Sequence, residues 1–344
     1  MTDTRPIRRI GIIGTGVIGA SWAALYLARG LDVIATDPAP GAEERLREFV
    51  DRAWPALVRI GLAAGASRDR LEFDSSLEDA LRDVDFVQEN GPERVDFKQK
   101  LYGQLDELLA PDVIIASSSS GIPMSTIQVG AATHPERSVI GHPFNPPHLI
   151  PLVEIVGGAK TSQETIDRAD EFYSSIGRKT VRIHKELPGH VANRLQSALA
   201  REVYYLVSEG VLSAADVDTA LSYGPGLRWG LMGNMMLNHL GGGPGGIEHF
   251  FEQFAGPMAA FWKTLGSPEL TPEVQKKLID SVHAEVGSRT IPELEAERDE
   301  LILGLLELRA KAERQAPSAA AEQDRAGQPP STVVTMREPV DSVR

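Results

Sequence analysis

Residues 7–29 place an apolar run, a glycine-rich turn and a second apolar run in unbroken succession: IRRIGII, then Gly14-Thr15-Gly16-Val17-Ile18-Gly19, then a stretch in which Ile18, Trp22, Leu25 and Ala28 recur at helical spacing. A strand that turns on glycines straight into a helix commits the chain to a βα unit. Gly14 permits the tight turn, Gly16 lets a pyrophosphate approach the backbone, and Gly19 lets helix and strand pack closely. The first helical residues, Val17 and Ile18, turn their free N–H groups toward the phosphates. A lone GxGxxG is weak, but here LDVIATD (31–37) follows as a second strand and ends in Asp37. That acid is placed to accept from adenosine ribose hydroxyls and would repel a 2′-phosphate. The expected cofactor is therefore NAD rather than NADP.

The alternation continues. Residues 42–60 read as helix, VDFVQEN (84–90) as strand, 95–109 as helix and DVIIASS (112–118) as strand, with SVIGH (138–142) and PLVEIVG (151–157) closing the set. Strands alternating with helices predict an α/β, Rossmann-type, doubly wound and mainly parallel sheet. Near residue 187 the pattern becomes helical. The long stretch LPGHVANRLQSALAREVYYLVSEG (187–210) is followed by a helix beginning at Ser213–Asp216 and by a last helix at 291–313, whose apolar stripe is read as Leu294, Leu301, Leu305 and Leu308. The expected organisation is a nucleotide-binding domain over 1–186, an all-α domain over 187–314 serving substrate binding and dimerisation, and a disordered tail over 315–344, rich in Ala, Pro, Ser and Gln. The apolar helices of the second half predict a homodimer.

Charge and composition exclude other classes. A formal net charge of -13 argues against a general nucleic-acid or anionic-membrane binder. No cysteine is present, so thiolate nucleophiles, thiolate metal sites and disulfides are excluded, and no metal site is expected. No apolar run approaches the ~20 residues of a membrane span, and MTDTRPIRR leads directly into a strand, so a cytoplasmic enzyme is the simplest expectation.

The chemistry is concentrated in IGHPFNPPHLIPLVE (140–154). His142 ends one apolar run and Glu154 lies inside the next. A carboxylate in such a run is costly to bury without a partner, and an imidazole at a strand end is both partner and proton carrier. The pair reads as a base oriented by an acid, although an edge-strand carboxylate and a packing histidine fit the same letters. Upstream, SSSS (117–120) follows a strand where the fold places its ligands. Ser117 and Ser118 read as polar loop, while one hydroxyl near His142 would hold a substrate oxygen. Asn193, early in the long helix, would donate to a carbonyl oxygen if it faces the cleft.

Taken in order, GIIGTGVIGASWA, QENGPERVDFK, SSSSG, GHPFNPPHLIPLVEIVGG, PGHVANRLQ and GLRWGLMG resemble the 3-hydroxyacyl-CoA dehydrogenase superfamily over roughly residues 7–265, most closely its short members acting on L-gulonate or L-carnitine. The resemblance implies an NAD-dependent enzyme that oxidises a 3-hydroxy group. It also implies His142 as general base, Glu154 as its partner, Ser120 and Asn193 on the reacting oxygen, and Glu93, Lys98 and Ser120 near the cofactor. Segment 42–72, where acyl-CoA members carry lysines, has none here, although it holds Arg45, Arg47, Arg52 and Arg59. A small hydroxy acid is therefore expected over a CoA thioester, with Arg228 pairing its carboxylate and Trp229 stacking a quaternary ammonium. An interhelical salt bridge fits Arg228 equally, and a place in the core fits Trp229 better than stacking does. The apolar run Asn234–His239 is expected to wall the pocket, and GGGPGG (241–246) to be a mobile loop beside it. A short-chain 3-hydroxyacyl-CoA dehydrogenase and a crystallin-like NAD binder without turnover remain alternatives.

Overall fold

A computed structural model describes residues 6–315. Its centre is one eight-stranded sheet in the order β3-β2-β1-β4-β5-β6-β7-β8. The strands are β1 (Arg9–Ile13), β2 (Asp32–Thr36), β3 (Leu71–Phe73), β4 (Phe86–Glu89), β5 (Ile114–Ser117), β6 (Ser138–Pro143), β7 (Leu152–Gly157) and β8 (Lys179–Ile183). All neighbours pair in parallel except β6 and β7, which are antiparallel. The order reverses between β1 and β4, which is the crevice where such sheets bind dinucleotides.

Both faces are buried, and the two-residue period of the strands sorts side chains between them. Ile10, Ile12 and Phe86 join Trp22, Tyr26, Phe172 and Tyr173 beneath α1 (Val17–Ala28), α2 (Ala42–Ile60) and α6 (Gln163–Ser175). Ile13, Val87, Ile115 and Ile140 join Leu101, Tyr102, Leu105 and Met124 beneath α3 (Leu77–Leu81), α4 (Val95–Leu108) and α5 (Met124–Ile127). The sequence reading stops the sheet at residue 157, but β8, reached through α6, extends it at one edge, and the short β3 extends it at the other. The edge strand β8 escapes notice because it is largely exposed and has no continuous apolar run.

Every element after β8 is helical among the described residues: α7 (Ala192–Ser208), α8 (Ala214–Tyr223), α9 (Pro225–Trp229), α10 (Asn234–Gly241), α11 (Gly246–Trp262), α12 (Pro272–Val286) and α13 (Ile291–Gln315). No helix among the described residues is long and apolar enough to cross a membrane. Two features differ from the sequence expectation. GGGPGG forms a structured corner between α10 and α11: His239 Nδ1 accepts the Ile247 N–H, and His249 Nδ1 lies 2.9 Å from the Gly242 carbonyl oxygen. On α13 the buried residue is Leu303, while Leu301 and Leu308 are exposed. Leu294 and Leu305 are half-buried, so only part of the expected stripe faces the body, and Arg59 of α2 pairs with Glu300 and Glu307 along the same helix. Apart from Gln315, which closes α13, the expected tail lies outside the described residues.

The Pro-rich turn after β6 is anchored by His148. Ser21 Oγ accepts its backbone N–H at 2.9 Å and lies 2.7 Å from its Nδ1, and the ring meets Phe49 edge-on. Burial pushes this imidazole down to about 4. The unfolded chain takes up a proton near pH 6.5 that the folded protein refuses until about pH 4, so stability falls as pH drops through that window. Denaturant titrations of the wild type should lose about 2–4 kcal/mol more between pH 7 and pH 4 than those of His148→Asn. Identical acid limbs would contradict the assignment.

Candidate active site

The C-terminal ends of the central strands turn polar, and alternation sends successive residues to opposite faces. On β4, Gln88 points to one side, where its Oε1 accepts from the Tyr26 and Tyr173 hydroxyls and its Nε2 donates to Ser118 Oγ. Glu89 points to the other side and takes Lys98 Nζ on both oxygens, at 2.8 and 2.9 Å, together with the Ser117 hydroxyl at 2.6 Å. Ser117 and Ser118 are therefore not mere loop: each is tied into one of these networks. A buried polar group left unpaired is costly, so the two networks fix the start of the serine loop from both faces.

Lys98 is fully buried on Glu89 rather than projecting into the crevice. Glu93 anchors the far side of the loop by accepting from Ser119 Oγ, Gly121 N–H and Ile122 N–H. Burial raises its carboxyl, but these donors and the Lys98 charge outweigh that and hold it below the usual carboxylate range. At the loop's tip, Ser120 Oγ stands 3.2 Å from His142 Nε2.

His142 and Glu154 face each other in the antiparallel register of β6 and β7. Glu154 Oε2 accepts from His142 Nδ1 at 2.8 Å, and Oε1 accepts the N–H groups of Val191 and Ala192 at 2.9 Å each. Burial alone would raise this carboxyl. The imidazole and the two amides reverse the shift and keep it low, hence ionised. Because a carboxylate only accepts, Nδ1 carries the imidazole proton, and the Nε2 lone pair is left for Ser120 or a substrate hydroxyl. The same two amides start α7, which sets Asn193 over the cleft.

A cavity of about 320 Å³ results, lined by Ile18, Ser118, Ser120, His142, Pro143, Phe144, Asn145, Asn193 and Gln196. Its size is at the lower end for small-ligand sites, ~300–1,000 Å³. The structure brings Ser120, His142 and Asn193 to one cavity with Glu154 behind the imidazole, and it adds Phe144, Asn145 and Gln196, which the sequence reading does not single out. The first two lie inside a quoted motif, and Gln196 follows Asn193 by one helical turn. Arg228 and Trp229 do not line the cavity: α9 lies against α13, where Arg309 donates to the Gly230 carbonyl and Leu305 packs beside Gly230. Nor does Asn234–His239 wall it.

The glycine turn fits a dinucleotide. Gly14 has a φ of 80°, a Cβ on Gly19 would overlap the Gly14 carbonyl oxygen, and the space beside Gly16 is open. Helix α1 begins with no capping side chain. Asp37 Oδ2 accepts from the Thr15 N–H and hydroxyl, and Oδ1 accepts from Ala39 N–H, so this acid braces the turn it also borders. Among the described residues no cluster of metal-ligating side chains occurs.

Glu154→Gln removes the charge that gathers these donors. It should cost about 1–3 kcal/mol at pH 7. A carboxylate held low in the folded state contributes stability above its unfolded pKa and loses it as pH falls through the folded value, so the gap between wild type and variant should close below about pH 4. A gap that is absent, or that does not vary with pH, would contradict this.

Residues 9–187 match the family model for the NAD binding domain of 3-hydroxyacyl-CoA dehydrogenase, and residues 189–296 match that for its C-terminal domain. An L-carnitine dehydrogenase of a Pseudomonas species is 48% identical over 301 residues, spanning 88% of this chain and 94% of that protein. The L-carnitine dehydrogenase of Streptomyces coelicolor is 45% identical, spanning 89% and 96%. Among solved structures, an NAD⁺-dependent dismutase, 5-formyl-3-hydroxy-2-methylpyridine 4-carboxylic acid 5-dehydrogenase, is similar with a TM-score of 0.76 at 33% identity, over 90% of this chain and 99% of that one. The chain belongs to the 3-hydroxyacyl-CoA dehydrogenase family and is an NAD-dependent oxidoreductase acting on a CH–OH group.

Proposed function

We propose that the enzyme oxidises the 3-hydroxyl of L-carnitine, or of a small hydroxy acid built like it, reversibly to the 3-keto form. One observation carries the reading: His142, Ser120 and Asn193 line a single small cavity, with Glu154 directly behind the imidazole. The names of the curated relatives supply the substrate, and the cavity volume suits a compact acid.

The roles follow from donor and acceptor chemistry. His142 Nε2 takes the substrate hydroxyl proton in oxidation and returns it in reduction. Glu154 stays ionised and stabilises the imidazolium while it lasts. Ser120 Oγ and the Asn193 amide hold the reacting oxygen as charge develops on it. NAD bound along the Gly14–Gly19 turn supplies the hydride acceptor. Val17 and Ile18 N–H groups would meet its phosphates, and Asp37 its adenosine ribose. Glu93 and Lys98 support that side by holding the serine loop.

In this reading residues 1–186 bind the nucleotide, and 187–314 complete the substrate site and dimerise. Leu195, Tyr223, Met235, Phe254 and Trp262 are exposed on the later helices, more apolar surface than a lone chain ordinarily leaves uncovered, and a second copy would cover it. Arg228 and Trp229, exposed on α9, would reach substrate only with help from a domain movement or that second copy. A cytoplasmic setting suits an enzyme drawing on NAD.

NADH formation should be seen with L-carnitine and be weaker with L-gulonate, 3-hydroxybutyrate and 3-hydroxybutyryl-CoA. A preference for the thioester would shift the reading to a short-chain acyl-CoA enzyme, and no turnover with any would favour an NAD binder. His142→Gln should lower kcat about 10²–10⁴-fold and leave NAD affinity intact. A near-normal kcat would reject the base. Asp37→Ala should relax the preference for NAD over NADP, and unchanged discrimination would remove that role. Sedimentation should find a dimer at micromolar concentration, and a monomer alone would contradict the assembly.

A further inference from the structure

His190 belongs to no part of the mechanism above, yet it is built into the site under constraint. It is the one non-glycine residue with positive φ, 49°, among the described residues. Histidine enters that region more readily than most side chains, but the conformation still carries a cost, and it persists only where the surroundings hold it. Here Gly189, with a φ of 76°, precedes it, and the two residues together reverse the chain between β8 and α7. The reversal turns the next two amides, those of Val191 and Ala192, onto Glu154.

The side chain is only 3% exposed. Its ring centroid lies 4.9 Å from that of His142, with the planes tilted by 48°. Its Nε2 stands 2.9 Å from the Ser119 carbonyl oxygen. A carbonyl only accepts, so Nε2 carries the proton. Nδ1 is buried without a hydrogen-bond partner. Burial lowers the tendency of this ring to take a second proton; the Ser119 carbonyl opposes this, His142 reinforces it, and Glu154 and Glu93 oppose it, with the lowering prevailing. His190 is therefore a neutral donor wedged between the base and the residue before Ser120.

We propose that His190 is a positioning residue: by donating to the Ser119 carbonyl and packing against the His142 ring, it fixes Ser120 Oγ and His142 Nε2 relative to one another for proton transfer. The proposal rests on the reading of His142 as base. Without the N–H donor the Ser119 carbonyl loses its tie to the histidine pair, and the serine loop rests on the Gln88, Glu89 and Glu93 networks, none of which holds that carbonyl. Without the ring, His142 gains room to turn about its Cβ–Cγ bond.

The test compares wild type, His190→Phe, which keeps a ring but no donor, and His190→Asn, which tolerates the left-handed backbone and keeps a donor but no ring. Each is assayed in NAD-dependent oxidation of the best substrate found, with NAD binding followed by fluorescence. The His142 ring nitrogens are followed separately by long-range ¹H–¹⁵N correlation at neutral pH, which needs no substrate. Both variants should lose about 10- to 100-fold in kcat, with KM and NAD affinity within about twofold of wild type. The His142 ¹⁵N pattern of a fixed Nδ1–H tautomer should move toward the average of a mixed population. Wild-type kcat together with an unmoved His142 spectrum in either folded variant would overturn the proposal, and so would equal losses in NAD binding and kcat. Should one variant not accumulate as folded protein, the other decides. His142→Gln, run alongside, separates the two failures: if it too keeps full turnover, the base assignment has failed rather than the role of His190.

Discussion

A single buried carboxylate organises the reactive end of this molecule. Glu154 sits inside the sheet, where an ionised group survives only if donors surround it, and it receives three: one from the His142 ring and two from the backbone amides that open α7. These bonds reach across the junction between the sheet and the helical part. The same charge that sets the tautomer of the imidazole also sets where the helix carrying Asn193 and Gln196 begins. Cavity geometry and proton chemistry are thus two outcomes of one electrostatic requirement.

The antiparallel pairing of β6 and β7 makes this possible. It brings Glu154 directly opposite His142 in register. The Pro-rich connection between the strands then runs across the top of the sheet and contributes Pro143, Phe144 and Asn145 to the cavity. Its far end is fixed by His148 on Ser21 and by the buried Arg178, which donates to the Pro147 and Ile150 carbonyls. On the other side of the cavity, the polar ends of β4 and β5 hold the serine loop through one network on each face of the sheet.

Much of this was legible in the sequence because period and chemistry coincide there. The glycine turn is legible because each glycine answers a separate steric demand. His142 and Glu154 stand out because charged or titratable residues inside apolar runs need partners. What stayed hidden depends on tertiary context. β8 is an exposed edge whose β-branched Thr180, Val181 and Ile183 alternate with no buried face, so no apolar run marks it as strand. Leu303 rather than Leu301 faces the body, a choice of helix face that depends on what α13 packs against and not on its own period. Lys98 resembles a surface group in a helix, yet it is drawn inward by Glu89, whose burial no local pattern reveals. His190 carries no local sign of the left-handed backbone that turns its following amides onto Glu154.

In the proposed reaction the imidazole of His142, backed by Glu154, confronts the carbinol of the substrate in a cavity shared with the nicotinamide. A crystal structure of the enzyme with NAD and a non-reacting analogue of its hydroxy acid tests this most directly. His142 Nε2 should lie about 2.6–3.2 Å from the analogue's oxygen, with Nδ1 still on Glu154 and the carbinol carbon about 3–3.5 Å from the nicotinamide C4. An analogue seated elsewhere, or a ternary complex in which Glu154 has left the imidazole, would contradict it.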